Sequence, residues 1–140
     1  MTGPLGETDL ARLLRTMQPV LDGERWVFCV IGDAPPGPAL APVAAVHEAE
    51  GWTVVVTRER ADAAGLAYDG TFRRITLAVH SSLHAVGFLA AVAGALAAAG
   101  IACNAVSGFH HDHLFVPATR ADEAVALLLR LGTSAAPAGG

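Results

Sequence analysis

The sequence contains no lysine, and its nine basic residues are all arginines scattered along the chain. Thirteen acidic residues bring the formal net charge to −4. Proteins that bind nucleic acids need a basic face or stripe to neutralise phosphates. We therefore expect neither DNA nor RNA as a partner.

Cysteine and aromatic residues are also scarce. Cys29 and Cys103 are the two cysteines, and each lies in an apolar run, which favours free buried thiols over a disulfide or a nucleophile. Aromatic residues make up 6% of the chain although apolar residues make up 53%. A core for these 140 residues must therefore be built mainly from small, closely packed side chains, in one domain or two very small ones.

Signals for export or membrane insertion are weak in this sequence. Residues 1–21 lack a positively charged start followed by an apolar run, so we expect no signal peptide. Residues 83–103 are long enough to suggest a membrane span, but alanine and glycine dominate them and Gly100 interrupts them. We expect a cytoplasmic protein without a membrane partner.

Hydrophobic periodicity predicts alternating helices and strands along the whole chain. In the first half we expect a helix over 10–17, capped by Thr8-Asp9 and ended by Pro19, a buried strand over 26–31, a proline-rich loop over 32–42, a hairpin with strands over 43–47 and 52–57, and a helix over 58–66. In the second half we expect a strand over 75–79, a helix over 83–99 that Ser81 or Ser82 caps, and strands over 101–106 and 114–116. A last helix is expected over 120–131, capped by Thr119 and stopped by Gly132.

The two halves resemble each other when the chain is shifted by sixty residues. Residues 43–64 then align with 103–124 and share seven identities in twenty-two positions, with hairpin on hairpin and helix on helix. We interpret this as two degenerate copies of a β-α-β-β-α unit. The first copy lacks its middle helix, whose place the helix over 10–17 is expected to fill.

This pattern predicts an α+β fold of two tandem ferredoxin-like units, with antiparallel sheets and helices on one face. The expected lobes are residues 8–70 and 71–132, with flexible ends at 1–7 and 133–140. Neither copy contains its own fourth strand. We therefore expect the copies to complete each other or to pair with another chain.

A candidate binding site follows the strand over 75–79. Ser81 or Ser82 is expected to cap the next helix, whose free N–H groups and positive dipole end suit a carboxylate or similar small anion. Gly87, expected one turn inside that helix, lowers helix stability by about 1 kcal/mol relative to alanine, which indicates close approach of a backbone or a ligand. The alternative is that these residues only cap and pack.

Several segments carry a family resemblance: Phe72–Leu77, His80–Leu83, Val86–Gly87, Gly100–Asn104 and His111–Pro117. They resemble the small ACT-domain proteins and, more narrowly, uncharacterised bacterial proteins made of two tandem ACT-like repeats. The resemblance covers roughly residues 8–131. The same domain class occurs in the CASTOR arginine sensors, which signal amino-acid supply through protein interaction.

The resemblance implies a non-enzymatic regulatory protein that binds a small molecule, with an amino acid as the first candidate, and we expect no cofactor. The implied ligand carboxylate lies at the turn over 80–87, with a homodimer or a separate regulated protein as the possible partner. The implied ligand-binding residues are His80, Ser81, Ser82, Val86 and Gly87, with Asn104, Val106 and Ser107 completing the pocket on the facing strand.

Two other functions remain open at this point. One is an oligomerisation or protein-interaction module that holds no ligand. The other is a metal-binding protein that uses His111 and His113, although strand alternation turns these two away from His110 and Asp112. An enzyme is not expected, because the sequence has no GxSxG motif, no phosphate-binding loop and no paired carboxylates on one apolar face.

Overall fold

The computed structural model describes residues 6–135. In chain order these residues form α1 (Leu10–Thr16), β1 (Pro19–Leu21), β2 (Trp26–Val30), β3 (Ala44–Glu48), β4 (Gly51–Thr57), α2 (Arg58–Ala63), β5 (Phe72–Leu77), α3 (Phe88–Ala98), β6 (Asn104–Ser107), β7 (Asp112–Pro117) and α4 (Ala121–Ser134), with a short 3-10 turn before α4. The predicted α+β class is confirmed.

One antiparallel sheet runs through both units, in the order β3-β4-β2-β5-β7-β6. Strand β5 is its centre: one edge pairs with β7 over its whole length. The other edge pairs with β2 at Phe72 and with β1 at residues 75–77. Each unit thus obtains its fourth strand from outside its own β-α-β-β-α pattern. In the first unit β5 lies beside β2, and in the second unit β1 and β2 lie beside β5.

The helices cover one face of this sheet, as predicted. Val27, Val54 and Val56 on that face pack with Ala61 of α2. On the same face in the second half, buried residues of β5 and β7 pack with α1, α3 and α4: Ile75, Leu77, Leu114, Val116, Leu13, Val92, Leu96 and Leu128. The opposite face carries a smaller cluster around Trp26, Val55 and Phe115.

The first helix confirms one prediction and corrects another. Asp9 caps α1 by accepting a hydrogen bond from the Arg12 N–H at 3.0 Å. Leu13 and Leu14, however, are buried in the core of the second half. The interpretation that this helix replaces the missing helix of the first copy is therefore wrong, because β1 pairs with β5 and carries α1 onto the second half.

The third helix begins later than predicted. It starts at Phe88 with Gly87 as its N-cap, so neither Ser81 nor Ser82 caps it. Gly87 has a φ of +92°, a left-handed conformation that a residue with a Cβ rarely adopts. This requirement, and not a position inside the helix, accounts for the glycine.

The last helix begins and ends differently from the prediction. Thr119 lies in the 3-10 turn, and Arg120 stands at the N-cap without a capping side chain. The helix continues past Gly132 to Ser134. A Cβ at Gly132 would lie 2.8 Å from the Leu14 carbonyl oxygen, so this glycine permits close approach of α1 and α4.

The expected loose ends are only partly within the described residues. Glu7 donates a main-chain hydrogen bond to the His80 carbonyl, and Thr133 and Ser134 belong to α4. Residues 1–5 and 136–140 lie outside the described residues. The lobe limits of 8–70 and 71–132 stay a prediction.

Over residues 6–135 no helix is long and apolar enough to cross a membrane. Residues 83–103, which are long enough to suggest a membrane span, contain the eleven-residue α3 and the loops on either side of it.

Candidate functional site

A cavity of about 200 Å³ lies between the loop after β5, the start of α3 and the β6–β7 hairpin. The hairpin and the loop lie side by side because β7 pairs with β5 from Phe72 to Leu77. The lining residues are Ser81, Ser82, Leu83, Ala85, Phe88, Leu89, Ser107, Gly108 and Asp112.

Asp112 is the buried charged group of this cavity, with 7% of its surface exposed. Its Oδ1 accepts a hydrogen bond from the Ser107 hydroxyl at 2.7 Å, and its Oδ2 accepts one from the Ser81 hydroxyl at 3.0 Å. Within residues 6–135 no arginine or histidine forms an ion pair with it. A buried carboxylate without a neutralising cation is energetically costly, and two hydroxyls offset this cost only in part.

Strand register explains how Asp112 reaches the cavity. It begins β7 and pairs directly with Ser107, the last residue of β6. Alternation along β7 puts it on the same face as Leu114 and Val116, which belong to the core beneath the helices. The carboxylate therefore lies on the helix side of the sheet, where α3 begins.

The loop after β5 has its own hydrogen bonds and does not extend the helix. Ser82 Oγ accepts from the His84 N–H at 3.0 Å, and the Ala85 N–H donates to the Ser82 carbonyl. These contacts form a separate turn, a common use of serine side chains. Ser82 is nonetheless buried and lines the cavity.

The first turn of α3 supplies the positive pole of the cavity. Phe88 and Leu89 line it, and no side chain caps the N–H groups that begin this helix. Helix N-termini carry a partial positive charge and unpaired N–H donors. A buried carboxylate and a helix N-terminus thus border the same small space.

The structure brings three of the eight predicted ligand residues into this cavity: Ser81, Ser82 and Ser107. Gly87 lies beside it as the N-cap of α3. Val86 is 83% exposed and does not line it.

Three further predicted residues lie elsewhere. Asn104 is exposed on the edge strand β6, and Val106 packs with the cluster on the opposite face of the sheet. The His80 ring lies against Phe109 and His110, at centroid distances of 5.9 and 5.1 Å. None of the three lines the cavity.

Sequence reasoning missed Asp112 as a ligand-binding candidate, together with the apolar wall formed by Leu83, Ala85, Phe88 and Leu89. Asp112 was obscured by its histidine neighbours. The alternation of side chains along the strand could have separated Asp112 from these histidines, because it placed Asp112 on the face opposite His111 and His113.

The proposed metal ligands do not form a metal site in the described part of the chain. His113 Nδ1 lies 2.9 Å from the Thr76 hydroxyl. Burial, with the charges of Arg74 and His111 nearby, lowers the pKa of His113 below its ordinary value. Between residues 6 and 135, no group of three or more His, Cys, Asp or Glu side chains could hold a metal ion.

The two cysteines are free, with Cys29 buried and Cys103 half-buried. Burial raises the pKa of the Cys29 thiol, with a smaller contribution from Asp62. Burial also raises the pKa of Cys103. Both thiols are therefore held in their protonated, weakly nucleophilic form.

Comparison with known proteins identifies a family for both halves. One ACT-domain family model matches residues 5–73, and a second ACT-domain model matches residues 72–130. No curated protein matches the sequence significantly. ACT domains are typically regulatory ligand-binding modules, not catalytic ones, and they often dimerise.

Solved structures show the same fold. A Vibrio cholerae protein of unknown function, described as a possible transport protein, is 40% identical, and the match covers 88% of this chain and 95% of that one with a TM-score of 0.80. An Agrobacterium tumefaciens protein is 20% identical over 83% of this chain and 89% of that one, with a TM-score of 0.69. The regulatory subunit of aspartate kinase from Thermus flavus is 15% identical over 81% and 96%, with a TM-score of 0.61, which is a likeness of fold alone.

The predicted resemblance is confirmed by these matches. The chain belongs to the ACT-domain family and consists of two tandem ACT domains.

Proposed function

We propose that this protein is a non-enzymatic regulatory protein that binds an amino acid in the cavity that Ser81 and Asp112 line. The observation that carries the proposal is the Asp112 carboxylate, which is buried, lines the cavity and has no cationic partner among residues 6–135. The typical role of ACT domains as regulatory ligand-binding modules supports it.

The ammonium group of the ligand binds Asp112. The Ser81 and Ser107 hydroxyls fix the orientation of the carboxylate but leave its charge intact. An ammonium group adds the missing positive charge through charge-assisted hydrogen bonds, which are about twice as strong as neutral ones.

The carboxylate of the ligand binds at the N-terminus of α3, near Phe88 and Leu89. The sequence-based expectation places the carboxylate at Ser81 and Ser82 together with the helix N-terminus. Ser81 is left out of this proposal because its hydroxyl hydrogen is already donated to Asp112. Ser82 accepts from His84 and keeps its own hydroxyl hydrogen as a further donor to the ligand.

The side chain of the ligand is apolar and of modest size. The remaining wall of the cavity consists of Leu83, Ala85, Phe88 and Leu89. A volume of about 200 Å³ is below the roughly 300–1,000 Å³ of pockets for drug-sized molecules. Amino acids with aliphatic side chains fit these walls, whereas a charged side chain would lack a partner.

Titration calorimetry with the twenty amino acids tests this proposal. We expect heat for aliphatic members, and loss of binding for analogues of the best ligand that lack either the amino or the carboxylate group. Asp112→Asn should weaken binding by about tenfold or more, because it removes the partner of a buried charge. The matched control Asp69→Asn changes an exposed aspartate in a turn and should bind like the wild type. No heat and no thermal shift at millimolar ligand would reject the proposal.

A second candidate is an interaction module without a ligand, favoured by an apolar row at one end of the sheet. Val30 and Val46 both pair with Thr53, and they are 64% and 57% exposed. Exposed apolar patches on a sheet often mark protein contacts. Sedimentation velocity over a range of concentrations decides this: self-association that Val46→Glu abolishes supports the module, and a monomer at every concentration rejects association through this surface.

A further inference from the structure

The segment Gly6–Glu7 lies directly on the loop that builds the cavity. The Glu7 N–H donates to the His80 carbonyl at 2.8 Å, and the Ser82 N–H donates to the Glu7 carbonyl at 2.9 Å. Glu7 and Ser81 thereby form an isolated parallel bridge. The two loop serines of the cavity, Ser81 and Ser82, are thus held from one side by this segment and, through Ser81, from the other side by Asp112.

The fit between this segment and the loop is close enough to require glycine. Gly6 has a φ of +94°. A Cβ at this position would lie 2.7 Å from the Ser82 nitrogen and 2.9 Å from the Ser81 carbonyl carbon. Any other residue at position 6 would therefore push the segment off the loop or displace Ser81 and Ser82.

The shape of the segment is set by its own contacts and by α1. Glu7 Oε2 accepts from the Thr8 and Asp9 N–H groups at 3.0 and 3.3 Å, and Glu7 Oε1 lies 3.1 Å from Arg12 Nε. Leu13 in α1 is fully buried in the core of the second half. The segment is therefore tied to α1, which is anchored in the core, as well as to the loop that lines the cavity.

The same part of the chain contacts the far end of the loop. Leu10, the first residue of α1, lies next to Gly87, where an added Cβ would be in ordinary van der Waals contact with its side chain at 3.5 Å. Glu7 and Leu10 thus bracket residues 80–87 at both ends. Between these two contacts lie the cavity residues Ser81, Ser82, Leu83 and Ala85.

We propose that Gly6 and Glu7 are positioning residues for the cavity, and that docking of this segment and ligand binding strengthen each other. The proposal rests on the proposed function, since it concerns the same cavity. Coupling is reciprocal: if the docked segment raises ligand affinity, the bound ligand must stabilise the docked segment by the same factor. A regulated partner that captured the undocked segment would in turn release the ligand.

The test measures amide hydrogen exchange and ligand affinity in the full-length chain. In the wild type, the best amino-acid ligand should slow exchange of the Glu7 and Ser82 amides. Gly6→Ala should speed exchange of the Ser82 amide without ligand and weaken ligand binding by about five- to tenfold. Gly23→Ala is the matched control, because nothing lies within 4 Å of a Cβ at Gly23.

A second variant tests whether a folding defect explains the effects of Gly6→Ala. Glu7→Pro removes the N–H that donates to His80, and it should reproduce both effects of Gly6→Ala. Far-ultraviolet circular dichroism of each variant confirms that the fold is retained. Glu7→Pro also removes the side-chain contacts of Glu7 with Thr8, Asp9 and Arg12. Glu7→Ala removes these side-chain contacts but keeps both main-chain hydrogen bonds of residue 7, so it should weaken binding less than Glu7→Pro and thereby isolates the main-chain contribution.

The outcomes separate this proposal from the proposed function. Faster Ser82 exchange with unchanged ligand affinity would overturn the coupling and leave the ligand site standing. If the wild type binds no amino acid, the proposed function fails, and the positioning role is decided by amide exchange alone. Faster exchange of the Ser82 amide in Gly6→Ala supports that role, and unchanged exchange overturns it.

Discussion

The hydroxyl group of Ser81 donates a 3.0 Å hydrogen bond to Oδ2 of Asp112 and so joins the loop after β5 to the first residue of β7. Both residues are buried, with 7% of the surface of each exposed. The oxygen that Ser81 does not reach accepts from Ser107. One carboxylate is therefore fixed in orientation by two hydroxyls that leave its charge unneutralised.

Ser81→Ala should lower the free energy of unfolding by about 1.5–3 kcal/mol, because it removes a hydrogen bond to a buried charged group. Urea unfolding measures this. Ser134→Ala is the control, since Ser134 is exposed at the end of α4 and should cost much less. In a double-mutant cycle, Ser81→Ala should cost less when Asp112→Asn is already present. Strict additivity would contradict the role given to this hydrogen bond.

The same glycine-to-alanine change should have opposite effects in two helices. Gly94 lies in α3 with nothing within 4 Å of an added Cβ, so Gly94→Ala should raise stability by about 0.5–1 kcal/mol. Gly132 lies in α4, where a Cβ would come within 2.8 Å of the Leu14 carbonyl oxygen. Gly132→Ala should therefore lower stability by about 1–3 kcal/mol despite the better helix propensity of alanine. Urea midpoints measure both, and a gain at Gly132 would rule out close α1–α4 packing.

Stability should fall with acid partly through His113. Burial and the nearby charges of Arg74 and His111 lower its pKa in the folded protein, so the unfolded chain binds this proton first. The contribution of neutral His113 to the free energy of unfolding is complete above roughly pH 6.5, the ordinary pKa of histidine. It is lost as the pH falls through the lower pKa of the folded protein. His113→Gln should flatten the pH dependence of the unfolding free energy below that value. Equal slopes for the wild type and His113→Gln would contradict this.

Elements with a local signal could be predicted from the sequence. The spacing of Leu10, Leu13, Leu14 and Met17 predicted α1, and turn residues between apolar runs predicted both hairpins. Strand β1 was missed, because three residues carry no periodicity and Pro19 indicated only the end of a helix. Its pairing with β5 depends on residues more than fifty positions away.

The start of α3 shows why the site was only half predictable. Two serines before an apolar run indicate a helix cap. In the structure the Ser81 side chain binds Asp112, thirty-one residues away, and Ser82 forms a local turn instead. Which of several acceptors a serine uses depends on strand register, and register pairs Asp112 with Ser107 only once the β6–β7 hairpin has formed.

Strand β5 serves both halves at once, since it pairs with β7 on one edge and with β1 and β2 on the other. A gene rearrangement that moved only one half to another protein would transfer part of the sheet without the strands of the other half that pair with it. Main-chain groups along the new edge would then be unpaired. For recombination, the transferable unit of this fold is therefore the duplicated pair and not the single repeat.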